Sequence, residues 1–300
     1  MVTFRFHLLS LTAVFLALAL GIAIGATVVD QATVDTLRQQ VDRVESRVKK
    51  TDIDNANLDK LVKEWERFGD QAGDELVEGR LVQMPVLVVG VRGMDSGPVV
   101  RFRQSLEKAG AVLEGTVWFT SKLKLEKAED VTALAQILGI PNGRPDELRR
   151  AAVNRLAASW SGSGESNPLP ALMAASFADF EPPGSINVDP ATVPRPETRF
   201  VVASDAQADV ENEKLAVPLA AELAKAFPAR VLAVEPAGAA FVGPLRQNEE
   251  AAAKLSSVDN LADFRGRMAG VLGLQDLIKG KVGHYGNQTR ASRLVPEPAS

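Results

Sequence analysis

Residues Pro85–Val91 read PVLVVGV and residues 111–119 read AVLEGTVWF, with a helical stretch over 99–108 and Gly110 between them. A continuous apolar run bounded by turns is the pattern of a strand buried on both faces. Two such runs joined by a helix make a βαβ unit with a right-handed crossover. Outward toward the C-terminus, helices are expected over 127–138 and 146–160, broken at Pro141-Asn142-Gly143. A Pro/Gly-rich crossing over 161–196 follows, containing the loop SGSGESNPL (161–169), a short helix over 170–178 and EPPGSINVDPATVPRP (181–196). The alternation then resumes with strands over 199–204, 230–235 and 256–260 and helices over 212–226, 245–255 and 261–279. Five strands alternating with helices predict an α/β domain over 84–286 with a doubly wound, mostly parallel, Rossmann-like sheet. Residues 287–300 are expected to be a disordered tail.

Outward toward the N-terminus the pattern changes twice. Residues 8–29, LLSLTAVFLALALGIAIGATVV, carry no charge. As a helix these 22 residues reach about 33 Å, enough to cross a hydrocarbon core of about 30 Å, and they exceed the apolar region of a signal peptide. The expectation is a retained transmembrane helix behind a cytoplasmic tail of residues 1–7, in the plasma membrane rather than the outer membrane. The Lys/Arg count does not decide the orientation, because Arg38, Arg43, Arg47 and Lys49 follow the span. The short leading tail suits an exported C-terminal domain. Ala17, Gly21 and Gly25 form a small-xxx-small row for helix packing, although glycine is common in membrane helices in any case.

Residues 30–68 carry a 3,4 spacing of apolar side chains. With Val34 at heptad position a, the a positions are Val34, Val41, Val48, Asn55 and Val62, and the d positions are Leu37, Val44, Thr51, Leu58 and Trp65. β-Branched residues at a favour a parallel two-stranded coil, and one buried Asn fixes its register. The expectation is a coiled-coil stalk and a parallel homodimer, the alternative being a single amphipathic helix lying on the globular domain. The stalk's ~35 residues would reach about 50 Å. Gly69 and Gly73 are expected to end the helix.

Composition narrows the chemistry. The 300 residues are 46% hydrophobic and 24% charged, with a formal net charge of −4, which gives no basic footprint for nucleic acid. The absence of cysteine excludes disulfides, zinc-thiolate and iron–sulfur sites and cysteine nucleophiles, and there are only two histidines. In open parallel sheets, sites form beyond the carboxyl ends of the strands. The residues there are Arg92 and Asp95 after the first strand, Asp205 after the third, and Asp259 and Asn260 after the fifth. The loop Gly90–Gly97 is neither GxGxxG nor a P-loop, and no GxSxG or HExxH occurs. The natural role of Asp259 is to cap the next helix. Catalysis is not expected, nor a tightly bound cofactor. His284, in the Gly283-His284-Tyr285-Gly286 turn, is the candidate metal ligand, against a plain packed turn.

Four features together resemble one family. They are the opening FRFHLLSLTAVFLALALGIAIG (Phe4–Gly25), the heptad helix, SSVDN with Gly266 in the next helix, and the late GHYG (283–286). The chain is similar over nearly its whole length to the MctB-like copper transporters of actinobacteria. The resemblance implies an envelope protein of copper homeostasis, in some cases an outer-membrane channel, with relatives linked to septal cell-wall remodelling. It brings copper in as a metal and an envelope or cell-division protein as a partner. One apolar helix forms a pore only by oligomerising, and the alternating ten-residue segments of a barrel are absent. Met84, Met94, Met173 and Met268 are spread along the chain, with no Met-x-Met motif to gather soft ligands for Cu(I).

Overall fold

The computed structural model describes residues 3–163, 166–184 and 188–296, with the side chains of residues 3, 26–33, 70 and 74 outside that description. The backbone divides into two compact units, Met1–Trp65 and Glu66–Ser300.

The first unit belongs to one long helix, α1 (Thr3–Val77). Its stretch Phe4–Gly25 is 22 residues of apolar helix, long enough to cross a membrane, with no residue buried. This window begins four residues before the expected 8–29; the side chains of 26–29 lie outside the described residues. Val34, Leu37, Val41, Val44, Val48, Leu58 and Val62 are all exposed. At about 100° per residue, Gly21 and Gly25 fall roughly 150° around α1 from the line of these side chains. The small-residue row and the heptad stripe therefore lie on different sides of the helix.

In the second unit α1 continues past Gly69 and Gly73 to Val77, beyond the expected end of the helix. Gly69 is a packing position: any Cβ there would overlap the ring of Phe264. The buried Val77 and Leu81 then anchor the chain before the sheet begins.

The sheet has seven strands: β1 (Pro85–Val91), β2 (Val112–Phe119), β3 (Ala178–Glu181), β4 (Arg199–Ala203), β5 (Val231–Val234), β6 (Leu255–Val258) and β7 (His284–Tyr285). The order is β3-β2-β1-β4-β5-β6-β7. All neighbours are parallel except β3, which runs antiparallel to β2. The two strands beyond the expected five are the edges. β3 lies in a stretch expected to be helix and crossing; the helix there, α5 (Leu169–Ala174), stops early. β7 is the middle pair of residues of the expected turn at 283–286.

Helices cover both faces because β1 alternates. Leu87, Val89 and Val91 pack in the core under α3 (Ala128–Leu138), α4 (Pro145–Trp160) and α6 (Ala216–Ala226). Val86 and Val88 pack in the opposite core, under α2 (Ser96–Lys108) and α9 (Phe264–Ile278). The expected helix over 245–255 is two short ones, α7 (Val242–Gln247) and α8 (Glu249–Ala252). Asn248 divides them by capping α8, accepting from the Ala251 N–H at 3.2 Å.

Residues 287–296 pack rather than trail away, against the expectation of a disordered tail. The Gly286 N–H donates to the Arg293 carbonyl (2.9 Å), the Ser292 N–H to the His284 carbonyl (2.8 Å), and Val295 packs on the α2/α9 core. The expected tail's last residues, 297–300, lie outside the described residues. So do 164–165 and 185–187 of the expected crossing.

Candidate functional site

Parallel strands deliver their carboxyl ends to one edge of the sheet, and the expected residues gather there. Asp95 caps α2, its Oδ1 accepting from the Gly97 N–H (3.0 Å). Asp205 Oδ2 accepts from the Asp95 N–H (2.9 Å) and its Oδ1 from the Gln207 N–H (2.7 Å), tying the loop after β4 to the loop after β1. The Arg92 guanidinium lies 4.9 Å over the Trp118 ring and 3.5 Å from the Asp179 carboxylate. It is a cation–π and ion-pair partner at the β2/β3 edge.

The neighbouring acid in this group, Glu235, was not foreseen. It is fully buried after β5, and its carboxylate accepts from the backbone N–H groups of Ala240 (2.9 Å), Phe241 (3.0 Å) and Val242 (3.0 Å). Burial pushes its carboxyl above the ordinary range, the three N–H donors pull it back, and the charge of Asp205 adds to the rise.

The densest cluster sits where β6 meets β7. Asp259 does not cap the following helix; α9 starts later, at Phe264, and Asp263 caps it. Asp259 instead pairs with Arg246 of α7 at 2.6 Å, the two side chains being 0% and 1% exposed. The same guanidinium donates through Nε to Ser257 Oγ (2.8 Å) and through an Nη to the Tyr285 carbonyl (2.8 Å). Asp259 in turn accepts from the N–H groups of Asn287 (2.7 Å) and Gln288 (3.1 Å). Gly286, at φ +129°, leaves room for that carboxylate, which a Cβ would overlap. The GHYG sequence is thus a strand and turn clamped onto β6.

His284 belongs to this clamp. Its Nδ1 lies 2.9 Å from Ser257 Oγ. Burial, then the charge of Arg246, hold its imidazole below the ordinary value. Ser257 Oγ accepts from Arg246 Nε, which leaves its own hydroxyl proton for Nδ1 of a neutral His284 ring. Tyr285 is pushed up to about 12 by burial and the nearby Asp276. Asn260 keeps unused polarity: both its side-chain amide atoms are buried without a hydrogen-bond partner among the described residues.

Met84, Met94, Met173 and Met268 pack in or against the two cores. Met84 and Met94 lie beyond opposite ends of β1, about 20 Å apart at the usual strand rise, in the α2/α9 core, where Met268 also packs. Met173 packs on the other face. Among the described residues no group of three or more His, Cys, Asp or Glu is placed to hold a metal ion. Among the described residues the donors do not fit a resident copper centre.

Sequence reading missed Arg246 and Ser257, whose partners lie on elements distant in the chain, and Glu235, which is held by backbone N–H groups of the loop and helix that follow it. It also missed Glu114, buried in β2, which accepts from Arg195 Nε (2.6 Å) and Thr198 Oγ1 (2.9 Å). Only a charged residue inside an apolar strand, Glu114 within VLEGTVWF, gave any signal.

A family model described as "Copper transport outer membrane protein, MctB" matches residues 1–296. Two relatives, each named "Copper transporter MctB", come from Mycobacterium bovis (strain ATCC BAA-935 / AF2122/97) and Mycobacterium tuberculosis (strain ATCC 25618 / H37Rv). Each is 27% identical over 309 residues, covering 95% of this chain and 96% of the relative.

Proposed function

The chain belongs to the MctB family, and from that premise we propose that it serves copper transport as a single-pass plasma-membrane protein whose α/β domain lies on the extracytoplasmic side. The observation that carries the reading is the family match over residues 1–296, joined to one apolar helix at Phe4–Gly25 that fits a membrane anchor. Copper in this reading is cargo or stimulus rather than a resident cofactor. Its support is that His284 Nδ1 and the strand-end carboxylates are already engaged in protein hydrogen bonds. The α/β domain acts by binding, without catalysis.

A second reading is favoured by the exposed heptad stripe: a dimeric scaffold that presents the α/β domain to an envelope or cell-division protein. The two readings part in one experiment. Cell-associated copper is measured by mass spectrometry across a series of external copper concentrations, in cells with and without the gene. Copper content should change on deletion and be restored by the full chain and by His284→Ala at matched expression. Restoration should fail for a chain lacking residues 4–25. Unchanged copper content on deletion would overturn the copper reading and leave the scaffold. Failure of His284→Ala alone would overturn the reading that copper is not resident at His284.

A further inference from the structure

The heptad stripe of α1 is exposed along its length, with Val41 and Val44 each 61% and Leu58 59% accessible. We propose that it is covered by a second copy of this chain, paired parallel and in register so that Asn55 faces Asn55. The inference rests on the membrane anchor proposed above.

Three observations select this occupant. The first is continuity. α1 runs without a break from the apolar stretch into the stripe. Two copies inserted alike therefore carry their stripes in the same direction and at the same height. A slip of one heptad displaces one helix by about 10 Å along its axis, a third of the hydrocarbon core, so the bilayer itself opposes misregister.

The second is the polar content of the seam. Thr51, at d, donates its hydroxyl to the Arg47 carbonyl (2.9 Å) in its own helix, so it enters a dry seam without a stranded donor. Asn55, at a, has no hydrogen bond within the chain among the described residues. Its amide finds the matching amide only when the two helices are in register.

The third is charge. The helix's own ion pairs, Lys49–Glu45 (2.7 Å), Lys60–Glu64 (3.9 Å) and Lys63–Asp59 (3.7 Å), use b, c, e and f positions and leave the seam clear. Arg47 at g and Asp52 at e are five residues apart, the spacing that puts one copy's Arg47 against the other's Asp52. Asp54 and Asp59 face each other by the same rule, and Lys63 beside Asp59 offsets that repulsion.

The chain contains no cysteine, so single cysteines report the geometry directly. Full-length chain in native membranes is oxidised with iodine after carrying Val48→Cys or Leu58→Cys on the seam, or Ser46→Cys or Lys60→Cys on the outer face. The seam cysteines should give at least tenfold more disulfide-linked dimer than the outer ones. Adding Arg47→Asp to Leu58→Cys should lower the yield severalfold, and adding Asp52→Arg as well should restore it. Gly21→Leu with Gly25→Leu should leave the yield unchanged. Equal yields on both faces, no dimer, or no restoration by the second charge reversal would overturn the proposal. Carbonate extraction of the same membranes separates the causes. A chain released by carbonate refutes the anchor, whereas a retained chain without seam dimers refutes the pairing alone.

Discussion

Asp259→Asn tests the β6/β7 clamp most directly. The substitution keeps the shape of the side chain and removes its charge, leaving Arg246 buried with its nearest counter-charge gone. In the native protein the two side chains are 2.6 Å apart and almost wholly inaccessible. Breaking a buried pair by removing one partner costs about 3–5 kcal/mol, because the remaining charge is left uncompensated. The single remaining oxygen also cannot serve Arg246 and the N–H groups of Asn287 and Gln288 together. For a domain of this size 1 kcal/mol moves Tm by about 2–4 °C, so the expected fall is on the order of 10 °C. Thermal unfolding of the full chain in detergent, followed by the fluorescence of Trp118 and Trp160, measures it. Trypsin cleavage at Arg290 and Arg293 should accelerate in parallel, since Asp259 tethers that segment. The double variant Arg246→Met, Asp259→Leu should lose much less than the sum of the two single variants. A fall of less than about 2 °C for Asp259→Asn, or full additivity in the double variant, would refute the assignment of this stability to the ion pair.

Gly286→Ala should destabilise by about 2 kcal/mol or more, since its φ of +129° and the adjacent Asp259 carboxylate both exclude a side chain; an unchanged urea midpoint would count against this. His284 is held below its ordinary 6.5, so the folded state binds fewer protons than the unfolded one. Its contribution is complete above pH 6.5 and is lost as the pH falls through that value toward the folded one; His284→Asn should flatten the urea midpoint between pH 7 and 5, and parallel curves would oppose it. Glu114→Gln should cost about 1.5–3 kcal/mol by weakening its bonds to Arg195 and Thr198, read as a lower urea midpoint and faster hydrogen exchange around 195–198.

The central fold was legible because β1, β2 and β4 carry apolar runs that only a buried strand explains. The edges were not. β3 holds two acidic residues in four, and β7 is two residues beside glycines, so neither has a hydrophobic period to read. Gly69 looked like a helix stop because sequence cannot reveal that a ring from α9 needs the space. Asp259 looked like a cap for the same reason: its true partner lies on α7, and nothing in the local spacing ties it to Arg246. Of the candidate site residues, Asp95, Asp205 and Asp259 were found by their position at strand ends. What each carboxylate does depends on which backbone N–H groups fold across it, and that is decided by loops from other strands.

The placement of β7 has a consequence for the order of events during synthesis. The strand that completes the sheet is made after β6 and α9, and the N–H groups that satisfy Asp259 come later still, at Asn287 and Gln288. Until those residues have emerged, β6 is an open edge and the Arg246–Asp259 pair has no covering chain. The finished sheet therefore records that translation reached this segment, and a chain cut short before Gly283 would present quality-control proteases with an open strand and a hydrated ion pair.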